Sequence, residues 1–230
     1  MSNDSKIKII TPVNIIGFIL VMMAGWIDTA GLKLFLNERV SFMTGRAAEL
    51  GEWLAKGEIG QFGFVVLIVI MFITGSAISA IITRRLGLMG GLTFAGILLL
   101  IAALCIYKGN MDFAGIAIPM AMGGQNAATS LTSINRTTHL TGPATDIGLN
   151  IAYGNWDGVI FWSLHWVAFP IGSFIGYNFI QKAKLDSSIH VSLTLVIPAI
   201  IIILTGLIQK IIVDIPLIIQ QKPLKKEKDK

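Results

Sequence analysis

Ser41-Phe42-Met43-Thr44-Gly45-Arg46-Ala47-Ala48-Glu49-Leu50-Gly51 returns 97 residues later as Thr138-His139-Leu140-Thr141-Gly142-Pro143-Ala144-Thr145-Asp146-Ile147-Gly148. Four of the eleven pairs are identical, and four more are chemical neighbours (Ser/Thr, Met/Leu, Glu/Asp, Leu/Ile). The match extends outward. Ala24–Gly87 laid over Ala121–Lys184 without a gap gives 16 identities in 64 positions, among them Arg39/Arg136, Phe72/Phe169 and Gly75-Ser76/Gly172-Ser173. The chain is therefore internally duplicated.

Composition sets the class. The chain is 54% hydrophobic and 13% charged, against roughly 25% charged in soluble domains, and its mean hydropathy is +0.75. Apolar runs of spanning length extend over about 13–34, 62–83, 87–107, 113–133, 158–180 and 190–212; about 20 helical residues cross a hydrocarbon core. A basic start before an apolar run also fits a signal peptide. Cleavage there would cut into the repeat, so a retained first span is expected. The expected fold is an all-α integral membrane protein of about six spans, in a single membrane domain over 1–230. Repeat 1 covers about 13–108, repeat 2 about 111–213 and a basic C-terminal tail 214–230, of which the polybasic segment Lys222 to Lys230 is expected to be disordered. Three spans per repeat is an odd number, so the second repeat enters the membrane inverted, an architecture used by many secondary transporters.

A net charge of +5 needs no nucleic acid, because Lys and Arg beside apolar spans attract anionic lipid and set orientation. No aromatic-interleaved basic patch suggests base stacking. Placing both termini in the cytoplasm puts Lys6, Lys8, Arg84, Arg85, Arg136, Lys210 and the tail lysines on one side. The single cysteine, Cys105, allows no internal disulfide and no thiolate metal cluster. No cofactor or metal is expected. No hydrolase elbow, zinc-protease helix, P-loop or dinucleotide fingerprint is present, so an enzyme is not expected.

Asp28 lies inside the first apolar run, where a carboxylate is costly and faces a bundle interior or a watery cavity. The gapless repeat puts Gln125 opposite it, beside Asn126. These residues can form a functional polar centre or hydrogen bonds that hold helices together; an interfacial Asp28 of little consequence is the third reading. Each Thr-Gly pair, Thr44-Gly45 and Thr141-Gly142, reads as the start of a short helix, over about 45–55 and 143–152. The threonine hydroxyl is expected to cap it. Ala47, Leu50 and Leu54, and Ala144, Ile147 and Ile151, fall at helical spacing. Such helices either rest at opposite membrane surfaces or enter as re-entrant half-helices with their positive ends toward a central site. The candidate substrate or ion site is thus Asp28, Gln125, Asn126, Thr44, Gly45, Thr141 and Gly142, with Arg46, Glu49, Asp146 and His165 as secondary candidates. His139 reads as a solvated loop residue. Gly75-Ser76-x-x-Ser79 and Gly172-Ser173-x-x-Gly176 are small-residue patterns for close helix packing, with a homodimer face as the alternative.

Four motifs in order, Gly25-Trp26-Ile27-Asp28-Thr29-Ala30-Gly31, Met43-Thr44-Gly45, Met122-Gly123-Gly124-Gln125-Asn126-Ala127 and Thr137-Thr138-His139-Leu140-Thr141-Gly142, resemble the YoaK-like family of bacterial inner-membrane proteins, known as domain of unknown function 1275. The resemblance covers nearly the whole chain and implies an integral membrane protein of about six spans in the bacterial cytoplasmic membrane, without naming a substrate. Where that family typically has Asn after its first Met-Thr-Gly, this chain has Arg46, which would favour an anion if the position served a site. The function expected is a small-solute carrier or channel; the alternative is a non-transporting scaffold, assembly factor or sensor. Partners expected are the lipid bilayer and a small solute, with no nucleic acid.

Overall fold

The computed structural model describes residues 11–186 and 190–214; the polar start and most of the polybasic tail lie outside the described residues. The described chain is helical, without strands. The helices are α1 (Pro12–Ala30), α2 (Met43–Lys56), α3 (Ile59–Tyr107), α4 (Ala114–Ser130), α5 (Thr141–Ala152), α6 (Trp156–Leu185) and α7 (Leu193–Gln209). α1 opens with Thr11, whose hydroxyl accepts from Asn14 N, and with Pro12 in its first turn, where a missing N–H costs nothing. It runs on as a π-helical turn over Gly31–Phe35, and α7 does the same over Lys210–Asp214. Among the described residues four helices are long and apolar enough to cross a membrane: α1, α3, α6 and α7, the first and last with their π turns.

At 49 residues, α3 as a straight rod would be about 74 Å long, more than twice a hydrocarbon core. It is not straight. Gly87 stands at φ 76°, ψ −176°, far outside helical space, in a conformation open to glycine because it has no Cβ. Beyond it the chain reverses. A Cβ on Gly91 would lie 2.1 Å from Thr83 Oγ1 and 3.0 Å from Ser79 Oγ, whereas residues 79 and 91 of a straight helix are about 18 Å apart. The two arms, 59–86 and 88–107, coincide with two of the expected apolar runs. α6 carries Pro170 inside a continuous helical run.

α1 and α4 are the inner helices. Leu20, Val21, Ala24 and Ile27 of α1, and Ala117, Ile118, Ala121 and Met122 of α4, are all but fully buried. α3, α6 and α7 surround them and turn Ile70, Ile73, Ile81, Phe174, Ile200 and Leu204 outward. An apolar exterior of this kind is what lipid, rather than water, stabilises.

α1 packs on α6, and α4 on the first arm of α3, through two sets of contacts that repeat each other. A Cβ on Gly25 would lie 2.1 Å from Phe169 O, and one on Gly123 would lie 2.0 Å from Phe72 O. In return, a Cβ on Gly172 would lie 1.8 Å from Met22 O, and one on Gly75 would lie 2.0 Å from Met120 O. Ser173 Oγ donates to Gly25 O (3.1 Å) and Ser76 Oγ to Gly123 O (3.0 Å). Backbone therefore lies directly on backbone, an approach that only glycine permits. This is the packing role expected of the Gly-Ser patterns.

These contacts correct the register of the duplication. Gly172 and Gly75 are 97 residues apart, but Gly123 and Gly25 are 98 apart. Asp28 therefore corresponds to Asn126, not to Gln125. The extra residue lies between Gly25 and Ser41, the stretch that contains the π turn at Gly31–Phe35; a π turn takes up one more residue than an α turn.

Candidate functional site

After the π turn the chain leaves α1 through Leu36–Ser41 and enters α2 at Met43. Asp28, almost wholly buried, holds this return in place. Its Oδ1 accepts from Val40 N (3.1 Å), Ser41 N (3.0 Å) and Ser41 Oγ (2.8 Å), while Oδ2 pairs with Arg39 Nη1 at 2.7 Å. In the second half Asn126 Oδ1 accepts from Thr138 N at 3.4 Å, and Thr138 corresponds to Ser41. One carbonyl-type oxygen inside each inner helix thus binds the backbone that returns to a short helix.

α2 and α5 begin two residues earlier than expected and without the expected caps. Thr44 and Thr141 lie within the first helical turn; the N-cap residues are Phe42 and Leu140, and neither makes a side-chain capping bond. The faces also differ from expectation. Leu54 and Ile151 point outward, and the buried residues are Arg46 in α2 and Pro143 in α5.

A cavity of about 430 Å³ lies between the returns. Its lining consists entirely of matched pairs. Polar pairs are Asp28 with Asn126, Arg39 with Arg136, Ser41 with Thr138 and Thr44 with Thr141. Phe42 with His139, Met43 with Leu140, and Phe72 with Phe169 complete it. The first residues of both short helices are thus at the cavity, and the leading N–H groups of a helix have no intrahelical partner.

Of the residues singled out from sequence, Asp28, Asn126, Thr44 and Thr141 meet at this cavity. Gln125 does not line it. Its side chain is fully buried, with Nε2 donating to Leu20 O (2.8 Å) and Thr137 Oγ1 (3.1 Å), a helix-to-helix bond. Gly45 lies against the Phe42 ring and Gly142 beside His139, behind the lining. Arg46 is buried away from the cavity and pairs with Glu38 and Glu49, so it is not free to receive an anion. Asp146 lines a second cavity of about 320 Å³, which shares Arg136 and His139 with the first. His165 is buried in an aromatic cluster with Phe18, Phe161 and Trp162, its Nε2 lying 3.3 Å from Arg136 O. His139 is a half-buried loop residue that lines both cavities. Sequence reasoning left out Arg39, Arg136, Phe72 and Phe169 as site residues, although their identity between repeats was the available signal.

The Arg46 cluster has a pH signature. Burial pushes the Glu49 carboxyl above its usual range; Arg46 pulls it down, and Glu38 and Glu52 push it up again. A folded-state value above the unfolded one means that the folded protein holds this proton more tightly. Its contribution is fully present below the unfolded value and is lost as pH rises through the folded one. Glu49→Gln is therefore expected to raise the melting temperature at a pH above the carboxylate range and to leave it unchanged below. Thermal unfolding in detergent at two pH values measures this.

The chain, all-helical over its described residues, has apolar helices that point to a membrane protein and a cavity of mixed polar and apolar lining between its two halves. It belongs to the DUF1275 family, described as proteins of unknown function, whose model matches residues 16–208. No curated protein and no solved structure matches it.

Proposed function

We propose that the chain is a carrier or channel for a small solute in a bacterial inner membrane, with the solute held between two inverted three-helix repeats. The observation that carries this reading is the cavity wall built from the same positions of both repeats. Solute sites at a repeat interface, faced by helix N-termini, are characteristic of inverted-repeat transporters. The break at Gly87 supports six crossings: α1, the two arms of α3, α4, α6 and α7. With 17 residues, α4 is about 26 Å long, close to a hydrocarbon core. α2 and α5 then act as re-entrant half-helices, and irregular backbone ahead of them is tolerated because it lines the cavity. Both termini are cytoplasmic in this reading.

Cysteine access tests it. In a Cys105→Ala background, Met43→Cys and Leu140→Cys are each expected to react with a small impermeant thiol reagent, and excess solute is expected to slow the reaction. Ile27→Cys, on the buried side of α1, serves as the unreactive control. If both cavity positions stay as unreactive as Ile27→Cys from either side, the centre is dry and a scaffold or sensor is the better description.

A further inference from the structure

The two halves of the cavity differ in charge. In the first, Arg39 is neutralised by Asp28 at 2.7 Å. In the second, Asn126 stands where Asp28 does, and an amide cannot neutralise Arg136. Among the described residues no carboxylate lies within ion-pairing distance of the Arg136 guanidinium; Asp146 lines the second cavity together with Arg136 but is not ion-paired with it, and it does not line the main cavity. The charged side chains of the main cavity are Arg39, Arg136 and Asp28, so with neutral histidine the site carries one net positive charge. Arginine offers a planar fork of donors matched to a carboxylate. Close by are the uncapped N-termini of α2 and α5, also positive.

The rest of the wall fixes the other end of the ligand. Phe42, Phe72, Phe169, Met43 and Leu140 line the same space. An inorganic anion would leave these surfaces against water, whereas an apolar body would cover them. From the unpaired arginine and this apolar wall we infer that the cavity takes a monovalent carboxylate with a compact apolar or aromatic body, its carboxylate on Arg136. The inference rests on the solute-site reading above and adds the class of solute.

The test uses the full chain in lipid nanodiscs, titrated with acetate, benzoate and octanoate, with benzamide as the neutral isostere of benzoate and phosphate as the inorganic anion. Affinity is read by calorimetry and by the shift in melting temperature. Benzoate or octanoate is expected to bind, with acetate and phosphate weaker and benzamide weaker than benzoate by at least about tenfold, as the loss of a charge-assisted hydrogen bond implies. Arg136→Gln, a change at an exposed side chain, is expected to lose about the same factor, and Arg136→Lys part of it. Asn126→Asp supplies the missing carboxylate and is expected to abolish the preference for benzoate over benzamide.

Benzamide binding as tightly as benzoate, or a preference for benzoate that survives in both Arg136→Gln and Asn126→Asp, overturns the inference while leaving a solute site. A site open to thiol reagents that binds none of the three carboxylates also overturns the inference alone. Failure of both binding and cysteine access removes the solute site as well.

Discussion

Asp28→Ala is expected to destabilise the fold by about 2–4 kcal/mol, because it strips the acceptor from two buried backbone N–H groups, each costing about 1–3 kcal/mol when left unpaired. Those groups belong to Val40 and Ser41, and both residues are buried. The Arg39 pair adds less, since that side chain is 44% exposed and screened by its surroundings. Asp28→Asn keeps an acceptor for the two N–H groups and is expected to fold, with a smaller fall in melting temperature and Arg39 released into the cavity. A melting temperature for Asp28→Ala within error of wild type would show that the return between α1 and α2 is held by something else.

Gly172→Ala and Gly75→Ala should each cost at least about 2 kcal/mol, toward the upper part of the range for overpacked interiors. The added methyl would meet a carbonyl oxygen of the facing helix at 1.8 Å and 2.0 Å respectively. A flexible side chain can rotate away; main chain inside a helix can yield only by moving the helix. Gly60→Ala and Gly63→Ala are the controls. Nothing lies within 4 Å of a Cβ at either position, and alanine is favoured over glycine in a helix by about 1 kcal/mol. Thermal unfolding of the four variants in one detergent should separate the pairs, the first two melting well below wild type and the controls at or above it. Equal melting of Gly172→Ala and Gly63→Ala would mean that the close helix approach is not what holds α1 to α6.

Much of this fold can be read from the residues, because lipid imposes few alternatives: long apolar runs become helices and glycine with flanking arginines marks the reversal at Gly87. The duplication also locates α2 and α5, expected over about 45–55 and 143–152 and found at Met43–Lys56 and Thr141–Ala152. Two features resist such a reading. A gapless alignment maximises identities, so one residue absorbed by a π turn shifts Asp28 from Asn126 to Gln125 with no mark in the sequence. The inward face of α2 is hidden for a different reason. In water the apolar side of a short helix turns inward, but here Leu54 faces out and Arg46 faces in, because Glu38, outside the helix, and Glu49 supply Arg46 with carboxylate partners that helical spacing alone does not reveal. Of the site, Asp28, Asn126, Thr44 and Thr141 were legible as polar residues in apolar context. Phe72 and Phe169 were not, because phenylalanine in an apolar run looks the same whether it faces lipid or a cavity.

The wall of matched pairs has one further consequence. A chamber bounded by one set of positions twice over, with identical residues at Arg39 and Arg136, Thr44 and Thr141, and Phe72 and Phe169, offers a guest two poses related by half a turn, and a guest that touched only those residues would occupy both. The exchange of carboxylate for amide at Asp28 and Asn126, with Phe42 facing His139 across the same axis, removes the degeneracy. A bound guest would then be oriented by the positions at which the two halves have diverged.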